Sequence, residues 1–153
     1  MAISFKNVGK TVETVKTESI KETPLPIGIK TPLRPGSNGE GVFAMHYNLA
    51  DQVHDNLRNL ILTNWGERLG LYDFGANLKE LTSEYTSRDD FDNEAVIRIK
   101  NAVTKWMPFV QLGDFEPLPD LETDAAFIRF RITYDIPLLN VSSKALEIIL
   151  RVM

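Results

Sequence analysis

Cysteine is absent from the 153 residues, which excludes disulfide staples and thiolate metal sites. No stretch has the apolar length needed to span a bilayer, and the opening MAISFKNVGK lacks the hydrophobic run of a signal peptide, so the sequence reads as a soluble protein made in a cytoplasm. Concentrated positive charge is missing too. Net charge is -4, and residues 42–153 carry eleven Lys/Arg against seventeen Asp/Glu, a poor match for phosphate-rich partners. The first 41 residues contain no Trp or Tyr and only Phe5 among aromatics, yet hold five of the nine glycines and four of the eight prolines. Such a stretch has too little apolar surface to build a core of its own.

What remains is ordinary. A hydrophobic share of 43% and a charged share of 25% describe a globular chain, and 112 residues after the arm suffice for one small domain. The division is an extended arm over 1–41 and a folded body over 42–153. Within the arm, Thr23-Pro24-Leu25-Pro26-Ile27-Gly28 is echoed by Thr31-Pro32-Leu33-Arg34-Pro35-Gly36. Prolines at this density hold a chain extended and remove ladder donors. Pro32-x-x-Pro35 also fits the permissive pattern of an SH3 ligand.

In the body, Phe43, Met45 and Tyr47 alternate as in a short strand. Asn48 then caps a helix in which Leu49, Val53, Leu57, Leu60 and Ile61 recur at helical spacing, with Asp51, Asp55, Arg58 and Asn59 on the other face. A short helix is predicted over Asn77 to Tyr85. A longer one starts after Asp89 or Asp90 and runs to Pro108, burying Ala95, Ile99, Ala102, Val103 and Trp106. From Phe109 the period becomes two. Phe109 to Phe115 reads as a strand broken by Pro117-Leu118-Pro119-Asp120, followed by strands through Ala126 to Tyr134 and Leu146 to Val152. Their short connections predict an antiparallel meander, so the fold class is α+β: two or three helices, then three or four strands.

Constellations for chemistry are sparse. His46 and His54 match no zinc spacing and read as surface or interface residues. Asp90, Asp92 and Glu94 open like a calcium loop, but Ala95 and Asn101 occupy the positions of its glycine and bidentate glutamate; carboxylates at a helix N-terminus explain them better. No phosphate loop, nucleotide fingerprint or nucleophile elbow is present. Seventeen acidic residues guarantee carboxylate pairs at any spacing, so they carry no weight for glycoside hydrolysis without a cleft and one raised pKa. No catalytic residue, metal ligand or cofactor is assigned, and the chain reads as a non-enzyme.

The most unusual segment is Thr63-Asn64-Trp65-Gly66-Glu67-Arg68, followed by Leu71-Tyr72-Asp73-Phe74-Gly75. Gly66 suits a helix C-cap, Gly75 a tight turn, and Phe74 an anchor to the core, with Glu67 and Arg68 placed to tie the loop down through buried or partner-facing ion pairs. Leu60-x-Leu62-Thr63-x-x-Gly66-Glu67-Arg68 with Phe74-Gly75, set between an amphipathic and a short helix, resembles the baseplate wedge protein family of contractile-tailed phages. That family includes the corresponding subunits of type VI secretion baseplates, and some of its members carry the label of tail lysozyme. The likeness extends over roughly residues 42–153. One departure is Met107-Pro108-Phe109, where the family has Glu-Pro-Arg; only Pro108 is kept.

The resemblance implies a structural component of the inner baseplate, located in the virion tail, that joins other wedge proteins and serves as platform for the first ring of the tail sheath. It implies hetero-oligomeric assembly without nucleic acid, membrane or cofactor. Thr63, Gly66, Glu67, Arg68, Phe74, Gly75 and Pro108 are then the motif and interface residues, and Leu146, Ile148, Leu150 and Val152 mark an edge for strand addition. A lysozyme-like peptidoglycan hydrolase and a small protein-binding regulator on the same fold are the alternatives.

Overall fold

The computed structural model describes residues 25–36, 41–84, 88–118 and 127–151. Their order is β1 (Gly28–Ile29), β2 (Met45–His46), α1 (Leu49–Leu62), α2 (Leu78–Glu84), α3 (Arg88–Trp106), β3 (Gln111–Pro117), β4 (Phe127–Ile136), a 3-10 turn (Pro137–Leu139) and β5 (Val141–Arg151). The chain is α+β: three helices, a two-stranded ribbon and a three-stranded antiparallel meander in the order β3-β4-β5. Among the expected sequence features, Pro119, Asp120, Ala126 and Val152 lie outside the described residues.

α1 begins where its cap allows. Asn48 has extended backbone and its side-chain oxygen accepts from the Ala50 amide at 3.0 Å. Val53, Leu57, Leu60 and Ile61 then form one buried stripe, and each fully buried Leu or Ile is worth about 1.5–3 kcal/mol. Leu49, expected on that stripe, is exposed, and Ala50 beside it is buried instead. The helix ends at Thr63, whose amide and hydroxyl both donate to the Asn59 carbonyl. Gly66 is therefore not its C-cap; it lies three residues on, at φ +82, where its amide donates to Tyr72 O at 2.8 Å.

α3 starts at Arg88, so Asp90 stands in its first turn rather than before it. Phe91, Ala95, Ile99, Ala102 and Val103 are buried, while Trp106 is only partly covered. The sheet lies against this pair of helices. Phe130, Ile132, Tyr134 and Ile136 of β4 face the core with Leu146 and Ile148 of β5, and the register sets Ile132 against Leu146 and Phe130 against Ile148. β3 begins two residues later than expected, because Phe109 and Val110 form a turn in which Val110 N donates to Met107 O. It carries an extra residue between Leu112 and Phe115 relative to β4. That bulge lets both side chains pack against the core although they are three apart.

The described part of the arm does not leave the body. β1 pairs antiparallel with β2, Gly28 opposite His46 and Ile29 opposite Met45, and a further bridge joins Pro35 to Phe43. The ribbon lies over the face of α1 opposite its apolar stripe; a side-chain carbon on Gly28 would come within 2.1 Å of Gln52. A layer is thus added against the polar face of the helix.

Two glycines separate two kinds of constraint. Gly66 has left-handed φ but open space around it, whereas Gly75 has φ +112 and a side-chain carbon there would lie 2.1 Å from Thr63 O. Gly66→Val is expected to cost about 1–2 kcal/mol from backbone strain. Gly75→Ala should cost more, since the Thr63 peptide must move as well. Urea denaturation midpoints of the two variants check this, and an equal or smaller loss at Gly75 contradicts it.

Candidate functional site

The loop after α1 is held by hydrogen bonds that its own side chains supply. Asn64 Oδ1 accepts from Lys79 N at 3.1 Å at the start of α2, and Asn77 Oδ1 faces the Trp65 amide at 3.4 Å. Trp65 Nε1 donates to Gly75 O at 3.1 Å, and Asn77 N donates to Thr63 O at 3.3 Å. Asn77 adopts φ 52 to make these bonds. The segment from 63 to 77 is thereby folded back against the end of α1.

Among the described residues of this chain, Glu67 and Arg68 form no ion pair. The Glu67 carboxylate accepts from the Asn64 side-chain amide at 2.9 Å and from its backbone amide at 2.8 Å; these bonds hold its pKa below the usual carboxylate range. Arg68 lies with its guanidinium 4.3 Å from the centre of the Phe74 ring, and Phe74 meets Trp106 edge-on at 5.2 Å. Asn64 thus takes the place of a cationic partner for Glu67, and an aromatic face takes the place of a carboxylate for Arg68.

These contacts shape a groove of about 740 Å³ between α1 and the end of α3. Thr63, Glu67, Arg68 and Phe74 line it with Trp106, while Met107 and Phe109, on either side of Pro108, form its far wall. Gly66 and Gly75 shape the loop without lining the groove. The Trp106 indole Nε1 is buried there with no hydrogen-bond partner among the described residues. Among the described residues Glu67 is the one carboxylate lining the groove, and it is tied to Asn64 in its ionised form.

The edge marked for strand addition is a backbone feature. β5 pairs with β4 on one side and has no described strand on the other. Leu146 and Ile148 are buried under the helices and Leu150 is half-buried, so an added strand would take main-chain groups rather than these side chains.

Three polar residues escaped the sequence reading. His46, expected at a surface or interface, is 8% exposed, and so is Asp55. His46 Nε2 lies 2.7 Å from Asp55 Oδ2, which also accepts from Thr31 N at 2.8 Å. Burial works against the charged Asp55 carboxylate, but these bonds outweigh it and lower its pKa. Arg98 is the third. It donates to Asn77 O and Glu80, pairs with Glu84 and Glu94, and lies 5.7 Å from the Trp65 ring, so it fastens α2 and the loop to α3. Its signal was present: Arg98 follows Phe91 by seven residues and Ala95 by three, a position on the buried stripe of α3. Asp55 gave no such signal, because the ribbon that buries it was not foreseen.

The sequence matches no protein-family model and no curated protein. Two solved structures share the fold. One is a chain of the anti-feeding prophage baseplate, determined with six-fold symmetry: TM-score 0.58, 21% identity, covering 71% of this chain and 82% of that one. The other is a Geobacter sulfurreducens protein described as a proposed tail lysozyme: TM-score 0.57, 16% identity, covering 69% of this chain and 93% of that one. At these identities the likeness shows a shared fold. No described helix is long and apolar enough to cross a membrane.

Asp55→Ala is expected to cost about 3 kcal/mol and to speed tryptic cleavage after Lys30, since the ribbon loses two bonds to a buried charge. Unchanged stability and cleavage contradict the role given to Asp55. A second expectation concerns pH. His54 Nδ1 is 2.7 Å from the Tyr134 hydroxyl, and burial, then Lys144 and Arg58, depress its pKa below the ordinary 6.5 against the pull of Asp55 and Asp51. The unfolded chain then binds this proton at higher pH than the native one, so the contribution is complete above about pH 6.5 and is lost as pH falls below it. Asp55 adds a second loss below about pH 4. Urea midpoints between pH 8 and 5 should show the first slope, and His54→Gln should flatten it.

Proposed function

We propose that this chain is a structural component of the inner baseplate of a contractile phage tail, located in the virion, where it joins wedge proteins and acts as platform for the first sheath ring. The observation that carries the reading is the fold shared with a chain of the anti-feeding prophage baseplate across 71% of this protein. Two features of the surface support it. The groove beside Phe74 and Trp106 offers an aromatic wall and the Arg68 cation to a partner. The outer edge of β5 offers main-chain groups to an added strand.

The description of the Geobacter neighbour raises a hydrolase reading. Glycoside hydrolysis needs a second carboxyl with a raised pKa across the cleft, and among the described residues the groove supplies only Glu67, whose pKa is lowered. The non-enzymatic reading is the better supported.

The test is reconstitution of the purified chain with the wedge and sheath proteins encoded beside it. The chain is expected to join the wedge complex and to raise the number of sheath assemblies that start. Arg68→Glu should fold normally, as an exposed residue, and weaken association roughly tenfold or more. Wedge and sheath assembly that proceeds equally without the chain contradicts the proposal. Carboxylate-dependent clearing of peptidoglycan by the purified chain contradicts its non-enzymatic part.

A further inference from the structure

The ribbon is built inside out. Alternation along paired strands puts Gly28 and His46 on the face turned toward α1, where His46 meets Asp55 and Gly28 abuts Gln52. The opposite face therefore carries Ile27, Ile29, Phe43, Met45 and Tyr47. Ile27, Ile29, Phe43 and Tyr47 are between 39% and 49% exposed, and Leu33 and Val42 beside them are more exposed still. A layer whose inner face is polar and whose outer face is apolar gains nothing from solvent on its outside. A contiguous patch of this kind marks a surface that another element covers.

Charge narrows the choice of cover. The described ribbon residues, 25–36 and 41–47, include Lys30 and Arg34 and not one Asp or Glu. Neither cation has a carboxylate within ion-pair distance among the described residues. Two such faces stacked on each other would bring like charges together, which disfavours a second ribbon as the occupant. Width narrows it further. Two strands about 5 Å apart present a face about 10 Å across, the diameter of one helix. We propose that the outer face of the ribbon docks an amphipathic helix of a neighbouring subunit, with an aliphatic stripe over Ile27, Ile29 and Tyr47 and carboxylates flanking it toward Lys30 and Arg34. The assembly reading above supplies the need for a neighbour; the chemistry of the face stands apart from it.

The test titrates the full chain with a labelled four-turn helical peptide carrying leucine at every third or fourth position and glutamate on both flanks, and with the same peptide bearing lysine for glutamate. Backbone amide NMR shifts report the site. The glutamate peptide is expected to bind and to shift the amides of Ile27, Ile29, Phe43 and Tyr47. Ile27→Ser with Ile29→Ser, and separately Lys30→Glu with Arg34→Glu, should each weaken it roughly tenfold or more with circular dichroism unchanged. Tyr47→Ser gives the same test from the second strand should the isoleucine pair disturb folding. Absence of binding, equal binding of the lysine peptide, or shifts confined to other surfaces overturns the proposal. Self-association of the chain that the isoleucine substitutions abolish overturns it in favour of a second copy. The isolated chain is used throughout, so this measurement can fail while baseplate reconstitution succeeds, and the reverse.

Discussion

The Asp55 carboxylate is charged, nearly out of reach of solvent, and held by an amide from Thr31 and a ring nitrogen from His46. A buried charge left without such partners is among the costlier defects a small domain can carry. The placement of the described residues N-terminal to α1 follows from satisfying it. Thr31 and His46 reach Asp55 together only when the chain between them doubles back, and the pairing of β1 with β2 is that doubling back. A two-stranded ribbon is marginal by itself, so the polar bonds beneath it and the apolar face above it define a layer that is fixed from one side and open on the other.

The far end of α1 works by a different principle. There the loop from Thr63 to Asn77 is closed by the approach of Gly75 to the Thr63 carbonyl, by the indole of Trp65 and by Arg98. With the loop folded back, Phe74 is brought against Trp106 and Arg68 over Phe74, and the groove is the space these rings leave beside α1. One helix therefore presents a prepared surface at each end, and its stripe of Val53, Leu57, Leu60 and Ile61 fixes both relative to the sheet. Catalytic sites are built around reacting groups of matched pKa. Here polar side chains hold the loop, as Glu67 does through Asn64.

Legibility followed the range of the interaction. The start of α1 at Asn48, the alternation of Ile128 to Tyr134 and the order of helices before strands could be read because caps and periodicities act within a few residues. Among the motif residues, the contacts of Glu67 and Arg68 within the chain were not legible, since charge alone pairs them with opposite charge and geometry gives them an amide and a ring. Asp55 and His46 were misjudged for a longer-range reason. Asp55 lies on the polar face of α1 and His46 on β2, and the packing of residues 25–36 over that face is what encloses both. The same segment had been read as an arm without a core, and its described part finds its contacts on its own chain.

The central claim is that this fold works as a fixed part of a tail, through its surfaces. A cryo-EM map of the assembled particle tests that most directly. The account predicts density for this α+β body in the baseplate ring, with a partner covering the groove at Phe74 and Trp106 and a strand of another subunit continuing the sheet beyond β5. A complete tail whose baseplate lacks this chain, or contains it with both surfaces facing solvent, would contradict the account.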